Sequence, residues 1–118
     1  MTPDEVAALN RAIANLLDHW HVDSLAGARI LDIEPERYAA WKSGHLVDID
    51  DDLKLRLVLL LNIHVQLSTV VGRGKRGYDW MSRPNAVFGQ SPLGMIADGD
   101  LNGLLRLQTY LAASIQYP

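Results

Sequence analysis

At 118 residues, 48% apolar and 21% charged, the chain has the length and composition of one compact domain or two very small ones sharing a core, which excludes a large multi-domain enzyme and a disordered chain. It contains no cysteine, so disulfides, thiolate metal sites and cysteine nucleophiles are excluded, and a reducing cytoplasm is the expected setting. The formal net charge of -3 is unevenly placed, with four Lys/Arg against nine Asp/Glu in residues 1–50 and seven against five in residues 51–118, so any nucleic-acid partner must contend with an acidic first half.

Thr2-Pro3-Asp4-Glu5 predicts a helix start, with Thr2 as N-cap, Pro3 at the first helical position and Glu5 closing a capping box. Apolar residues then recur at Val6, Leu9, Ile13, Leu16, Leu17 and Trp20, a helical period with one buried stripe. Ser24 is the predicted cap of a second helix, Leu25 to Leu31. Pro35 opens a third, which runs through Tyr38 and Trp41 to a stop at Gly44. Asp50-Asp51-Asp52 puts a cap and two more acids at the positive end of the next helix, Leu53 to Val71. Leu53, Leu55, Leu57, Leu59, Leu61, Ile63, Val65 and Leu67 alternate as in a strand. The run is nevertheless too long for one strand, rich in leucine, and opened by a helix cap, so a helix is predicted. Its apolar residues wrap most of the circumference, as in a central or interface helix.

Gly72 to Gly77 reads as a glycine- and arginine-rich break before a short helix around Tyr78 to Ser82, ended by Arg83-Pro84-Asn85. Ser91-Pro92 starts another short helix, Leu93 to Ala97. Asp98-Gly99-Asp100 separates it from a last helix with Leu101, Leu104, Leu105, Leu111 and Ile115 on one face. The opening residues are acidic, unlike a secretion signal, and the longest apolar run, Leu57 to Leu61, is far short of a spanning segment. No membrane association is expected.

Several motifs invite chemistry and are better explained without it. Gly72-Arg73-Gly74-Lys75-Arg76-Gly77 matches a dinucleotide-binding G-x-G-x-x-G by letter, but that motif needs a preceding strand and a parallel sheet. A helix linker or a basic contact loop fits better. His19 and His21 are two apart and diverge on a helix, without a third ligand at a matching spacing. Asp48-x-Asp50-x-Asp52 begins like a calcium loop but has Leu53 where glycine is required and Leu59 where glutamate is. His64 is expected as a hydrogen-bonded core or interface histidine. No nucleophile, base and orienting acid assemble, so no catalytic residue, cofactor or metal is expected and the chain is not expected to be an enzyme.

Leu25 to Gly44 has the pattern of a helix-turn-helix, with Ala28 small enough for close helix approach, Ile33 anchoring the turn, and Tyr38 and Trp41 packing inward. In a DNA-reading version Arg37 and Lys42 would make groove or phosphate contacts, with Ser43 and His45 near the backbone, while Glu34 and Glu36 repel phosphate.

The second half carries a further pattern: Gly72, then Tyr78-Asp79-Trp80-Met81-Ser82-Arg83-Pro84-Asn85, then Gly89-Gln90-Ser91-Pro92-Leu93-Gly94-Met95-Ile96, an acidic glycine turn, and a leucine-rich closing helix. With the helix-turn-helix before it, the whole chain resembles the Xre/MbcA/ParS-type antitoxins. Val71 stands where that family usually has phenylalanine, and the linker Arg73 to Gly77 is unusually basic. The resemblance implies an antitoxin of a type II toxin-antitoxin system that covers the active-site cleft of a RES-domain toxin, one that consumes NAD or transfers ADP-ribose. It also implies a homodimer and, in many members, repression of the operon through operator DNA. Toxin contacts would fall on the C-terminal half, with Arg73, Arg76, Trp80, Arg83, Gln116 and Tyr117 as candidates, since Trp, Tyr and Arg dominate interface energetics. The alternative is a stand-alone helix-turn-helix regulator. The expected fold is all-α, a compact bundle of about seven helices: a helix-turn-helix region over residues 1–49, a long central helix over 50–71 that is a possible dimer interface, and a small helical region over 72–118.

Overall fold

The capping box opens the fold. In the computed structural model, which describes residues 2–45 and 48–115, the Thr2 hydroxyl accepts from the Glu5 amide and the Glu5 carboxylate accepts from the Thr2 amide, both at 3.2 Å. Helix α1 (Pro3–His19) follows and buries Leu9, Ile13, Leu16 and Leu17, with Trp20 completing the stripe just past its end.

Helix α2 (Ser24–Leu31) is capped one residue earlier than the sequence pattern predicts. The Asp23 carboxylate accepts from the Ala26 amide at 2.9 Å, and Ser24 is the first helical residue. Asp32 then takes a left-handed conformation, φ 54°, that turns the chain into α3 (Pro35–Lys42), which buries Tyr38 and Trp41. The close approach between these helices is at Gly27: a Cβ there would lie 2.3 Å from the Tyr38 hydroxyl. Ala28 is buried as expected, but the smallness that permits the packing belongs to its neighbour.

Helix α4 (Asp51–Val70) starts where Asp50 accepts from the Leu53 amide at 2.8 Å. The strand-like alternation resolves into a helix that buries Leu53, Leu57, Leu59, Leu60, Ile63 and Leu67 and leaves Leu55 and Val65 outside. By length and composition α4 is apolar enough to cross a membrane; here its buried face forms the middle of the core. Helix α5 (Lys75–Ser82) takes in three residues expected in the linker, because Gly72 (φ +145°) and Gly74 (φ +64°) turn the chain sharply enough to start a helix at once. Gly77 lies inside α5, where a Cβ would sit 2.8 Å from the Gly72 carbonyl. Asn85 pairs with Gln90 across a tight turn, Ser91 caps α6 (Pro92–Ile96) by accepting from the Gly94 amide at 3.0 Å, and α7 (Leu101–Ile115) closes the chain.

Helix α7 packs along α4 in the most extensive helix pairing of the fold, burying Leu104, Leu107 and Leu111. Leu105 and Ile115, expected on the buried face, are exposed. The face that meets α4 follows the 104, 107, 111 spacing, and Leu105 lies about a third of a turn off its centre.

Among the described residues the secondary structure is seven helices and one isolated bridge, the all-α bundle that the pattern predicts. One contiguous core runs from Leu9 to Leu111, and the radius of gyration, 13.8 Å, matches the roughly 13 Å expected of a single domain of this length. A buried cation ties its parts together. Arg56 on α4 is 5% exposed; it donates to the Ile30 carbonyl at the end of α2 (3.1 Å), to the Gly99 carbonyl in the turn before α7 (2.7 Å), and to Asp52 (3.0 Å), with Asp32 at 3.8 Å. Gly99 fits against α2 so tightly that a Cβ would lie 2.3 Å from the Arg29 carbonyl.

Candidate partner-binding surfaces

Of the four residues with DNA-contact potential, Arg37 lies in the first turn of α3, Lys42 at its end, and Ser43 and His45 just beyond, and each is engaged within the fold. Arg37 donates to the Asp48 carbonyl at 2.8 Å and reaches the Asp50 carboxylate at 3.5 Å. Lys42 donates to the Asp18 carboxylate on α1, a bond that raises the ammonium above its ordinary lysine value. The Ser43 hydroxyl donates to the Ala40 carbonyl at 3.1 Å and lies 2.9 Å from His45 Nδ1. Both cations are thus balanced by carboxylates, while Glu34 and Glu36 remain exposed on the same surface.

The toxin-contact candidates are placed differently. Arg76 and Trp80, four residues apart, share one side of α5, with Arg73 in the turn leading into it and Arg83 at its C-cap, where the backbone has already become extended. None of the three arginines makes an ion pair among the described residues, and all three are exposed. The other cation of this stretch, Lys75, is bound to Asp79, and that hydrogen bond lowers the Asp79 carboxyl below its ordinary value. Trp80 is half-buried, its ring stacked on Tyr110 of α7 with centroids 6.4 Å apart and planes 12° from parallel. It serves at once as a packing anchor and as an accessible aromatic edge. Gln116 and Tyr117 lie outside the described residues.

Sequence reasoning passes over the groups that extend this surface. Tyr110 also meets Phe88 edge-on at 5.1 Å, and the Arg106 guanidinium sits 5.2 Å over the Phe88 ring while donating to the Val87 carbonyl at 3.1 Å. Val87 beside them is exposed. The visible signal was composition: Phe88 is the sole phenylalanine of the chain and lies in a turn, where a buried aromatic needs partners.

The motifs with chemical potential are absorbed by the fold. The G-x-G-x-x-G stretch follows the helix α4, and its last three residues are helical, so the strand that a dinucleotide site requires is absent there. Asp50 caps α4, Asp52 holds Arg56, and the Asp48 carbonyl takes Arg37. His19 stacks flat on Tyr78 of α5, centroids 4.8 Å apart. No group of three His, Asp or Glu residues is placed to hold a metal ion among the described residues. His64 departs from the expected hydrogen-bonded histidine: its Nδ1 is buried without a partner, and burial, then the proximity of His19, lowers its pKa from the ordinary value. No model of a known protein family matches this chain, and a search of curated proteins finds no match either.

Proposed function

We propose that this chain is a protein-binding antitoxin of a type II toxin-antitoxin system, neutralising a RES-type toxin by occupying its active-site cleft with the α5 side of the C-terminal region. The observation that carries the reading is a run of exposed arginines along α5 and its two ends, none in an ion pair among the described residues: Arg73 before the helix, Arg76 on the same side as the half-buried Trp80, and Arg83 just past the last turn. Arginine and tryptophan are the residue types that concentrate interface energy, and an unpaired arginine fork suits a carboxylate or phosphate on the partner. Arg37 and Lys42, the two helix-turn-helix cations that are candidates for DNA contact, are paired with the internal acids Asp50 and Asp18, which favours a protein partner over DNA as the primary target. Operator binding is then a secondary activity of the helix-turn-helix region.

The test is co-expression with the product of the adjoining reading frame. The reading requires that this product arrest growth alone, that the present chain relieve the arrest, and that the two co-purify. Arg76→Glu combined with Arg83→Glu should abolish both rescue and co-purification while the helical circular dichroism is unchanged. Absence of toxicity and of a complex would instead promote the stand-alone regulator, which predicts sequence-specific DNA binding lost on Arg37→Ala or Lys42→Ala.

A further inference from the structure

Helix α1 carries an apolar residue that the core does not use. Val6 opens the stripe that continues through Leu9, Ile13, Leu16 and Leu17, yet it is only half-buried while those four are buried. It lines instead a cavity of about 620 Å³ bounded by α1, the end of α3 and the segment leading into α4. Pro3, Val6, Ala7, Asn10 and Arg11, three and four residues apart, present one side of α1 to this space. Ile49 lines it from the segment before α4, and Trp41 of α3 lines it while itself only 2% exposed. The Trp41 indole N–H donates to Asn10 Oδ1 at 3.1 Å, so the ring is locked in the cavity wall. The volume falls within the roughly 300–1,000 Å³ typical of small-molecule sites, and the walls are already in place.

The charges around the cavity reverse the balance of the chain that surrounds it. Over residues 1–54 the acids outnumber Lys and Arg eleven to five, whereas the cavity is lined by Arg11, Lys42 and Lys54 against the single acid Asp48. Lys42 is committed to Asp18. Arg11 and Lys54 make no ion pair among the described residues, so two cations from different helices border one apolar space with only Asp48 to offset them. An anion between them relieves their repulsion. Asp48 favours a singly charged anion over a dianion such as phosphate. A bare ion leaves the apolar walls wet, and a neutral apolar molecule leaves the cations unpaired; a carboxylate on an apolar body meets both conditions, with the guanidinium fork suited to its two oxygens.

We infer that this cavity binds an organic monocarboxylate with an aromatic or acyl body, its apolar part against Val6, Ile49 and Trp41 and its carboxylate between Arg11 and Lys54. The site shares no residue with the α5 surface and takes a small molecule, so the inference stands or falls independently of the toxin partner.

The full chain, titrated calorimetrically with 4-phenylbutyrate and with octanoate, should bind at least one of them at one site per chain with a Kd below about 1 mM. Of the three tryptophan indole N–H signals in a proton–nitrogen correlation spectrum, only that of Trp41 should move, because neither Trp20 nor Trp80 lines the cavity. Arg11→Gln combined with Lys54→Gln should weaken binding about tenfold or more while the helical circular dichroism is unchanged. Ala7→Phe fills the cavity, keeps both cations and should abolish binding. The neutral 4-phenylbutanamide and inorganic phosphate, each lacking one of the two features, should bind at least about tenfold more weakly. No saturable binding of either acid up to about 10 mM, binding undiminished in the Arg11→Gln, Lys54→Gln variant or in Ala7→Phe, a response at Trp20 or Trp80 in place of Trp41, or equal affinity for the amide or for phosphate would each overturn the inference.

Discussion

Tyr38 carries a polar group that no neighbour satisfies: its hydroxyl is buried without a hydrogen-bond partner, and burial pushes the phenol pKa up. That hydroxyl also fills the space where a Gly27 side chain would go. Its removal deletes an unsatisfied polar atom and opens room, so Tyr38→Phe should leave stability unchanged or raise it by up to about 1 kcal/mol in chemical denaturation. Gly27→Ala should cost about 1–3 kcal/mol by overpacking. Most of that cost should persist in the Tyr38→Phe background, because the ring carbons Cζ and Cε1, at 2.4 and 2.6 Å from the added Cβ, remain; a cost that vanishes there would mean the hydroxyl alone sets the contact. Arg56 is the opposite case, a buried cation that donates to the Asp52 carboxylate and to two backbone carbonyls. Arg56→Met keeps the aliphatic bulk and strands the Ile30 and Gly99 carbonyls, for an expected loss of about 2–4 kcal/mol by the same measurement. Tyr38 was legible as an inward-packing residue but not its contact with Gly27, and the role of Arg56 was not legible at all. Arg56 looks there like one of the polar residues between leucines, and only the meeting of α2, α4 and the turn before α7 reveals its acceptors.

Elements were legible where a local rule decides them. The capping box of α1, the Asp50 cap of α4 and the Ser91-Pro92 start of α6 are short-range hydrogen-bond patterns written in adjacent residues. The start of α5 was not, because it depends on Gly72 and Gly74 taking backbone angles that a glycine-rich string permits without announcing. The outer side of α7 was misjudged for another reason: leucines stand on more than one face, and only packing against α4 selects Leu107 over Leu105. Arg76, Trp80 and Arg83 were legible as a set of residue types; the helix put Arg76 and Trp80 on a common side and left Arg83 at its C-cap. The junction of α1, α4 and α5 carries a pH dependence. His64 has a lowered pKa in the folded chain, so the unfolded chain binds its proton more readily. The stability that neutral His64 permits is complete above its ordinary value of 6.5 and is lost as pH falls through the lower folded value. Between pH 7.5 and 5.5, above the range in which Asp and Glu titrate, the thermal midpoint should decline, and His64→Gln should flatten that decline. An equal slope in the variant would assign the effect to another group.

At the scale of the whole molecule, the question is whether the helix-turn-helix region and the C-terminal helices are separable. The core is continuous, α7 lies along α4, and Arg56 binds the end of α2 and the turn before α7 through one guanidinium. Neither region can lose its packing without exposing the other side of α4, so unfolding should be a single cooperative transition. The tryptophans allow a direct test, since Trp20 and Trp41 are buried in the first region and only Trp80 lies in the last. In a Trp80→Phe background, fluorescence reports the first region alone. Leu111→Ala, a truncation in α7 that should cost about 2–5 kcal/mol, lies within the C-terminal region. Its penalty should nevertheless appear in full in the fluorescence midpoint, coinciding with the transition seen by far-ultraviolet circular dichroism. A fluorescence midpoint left unmoved while the dichroism becomes biphasic would mean two units folding separately, with Arg56 a contact between them.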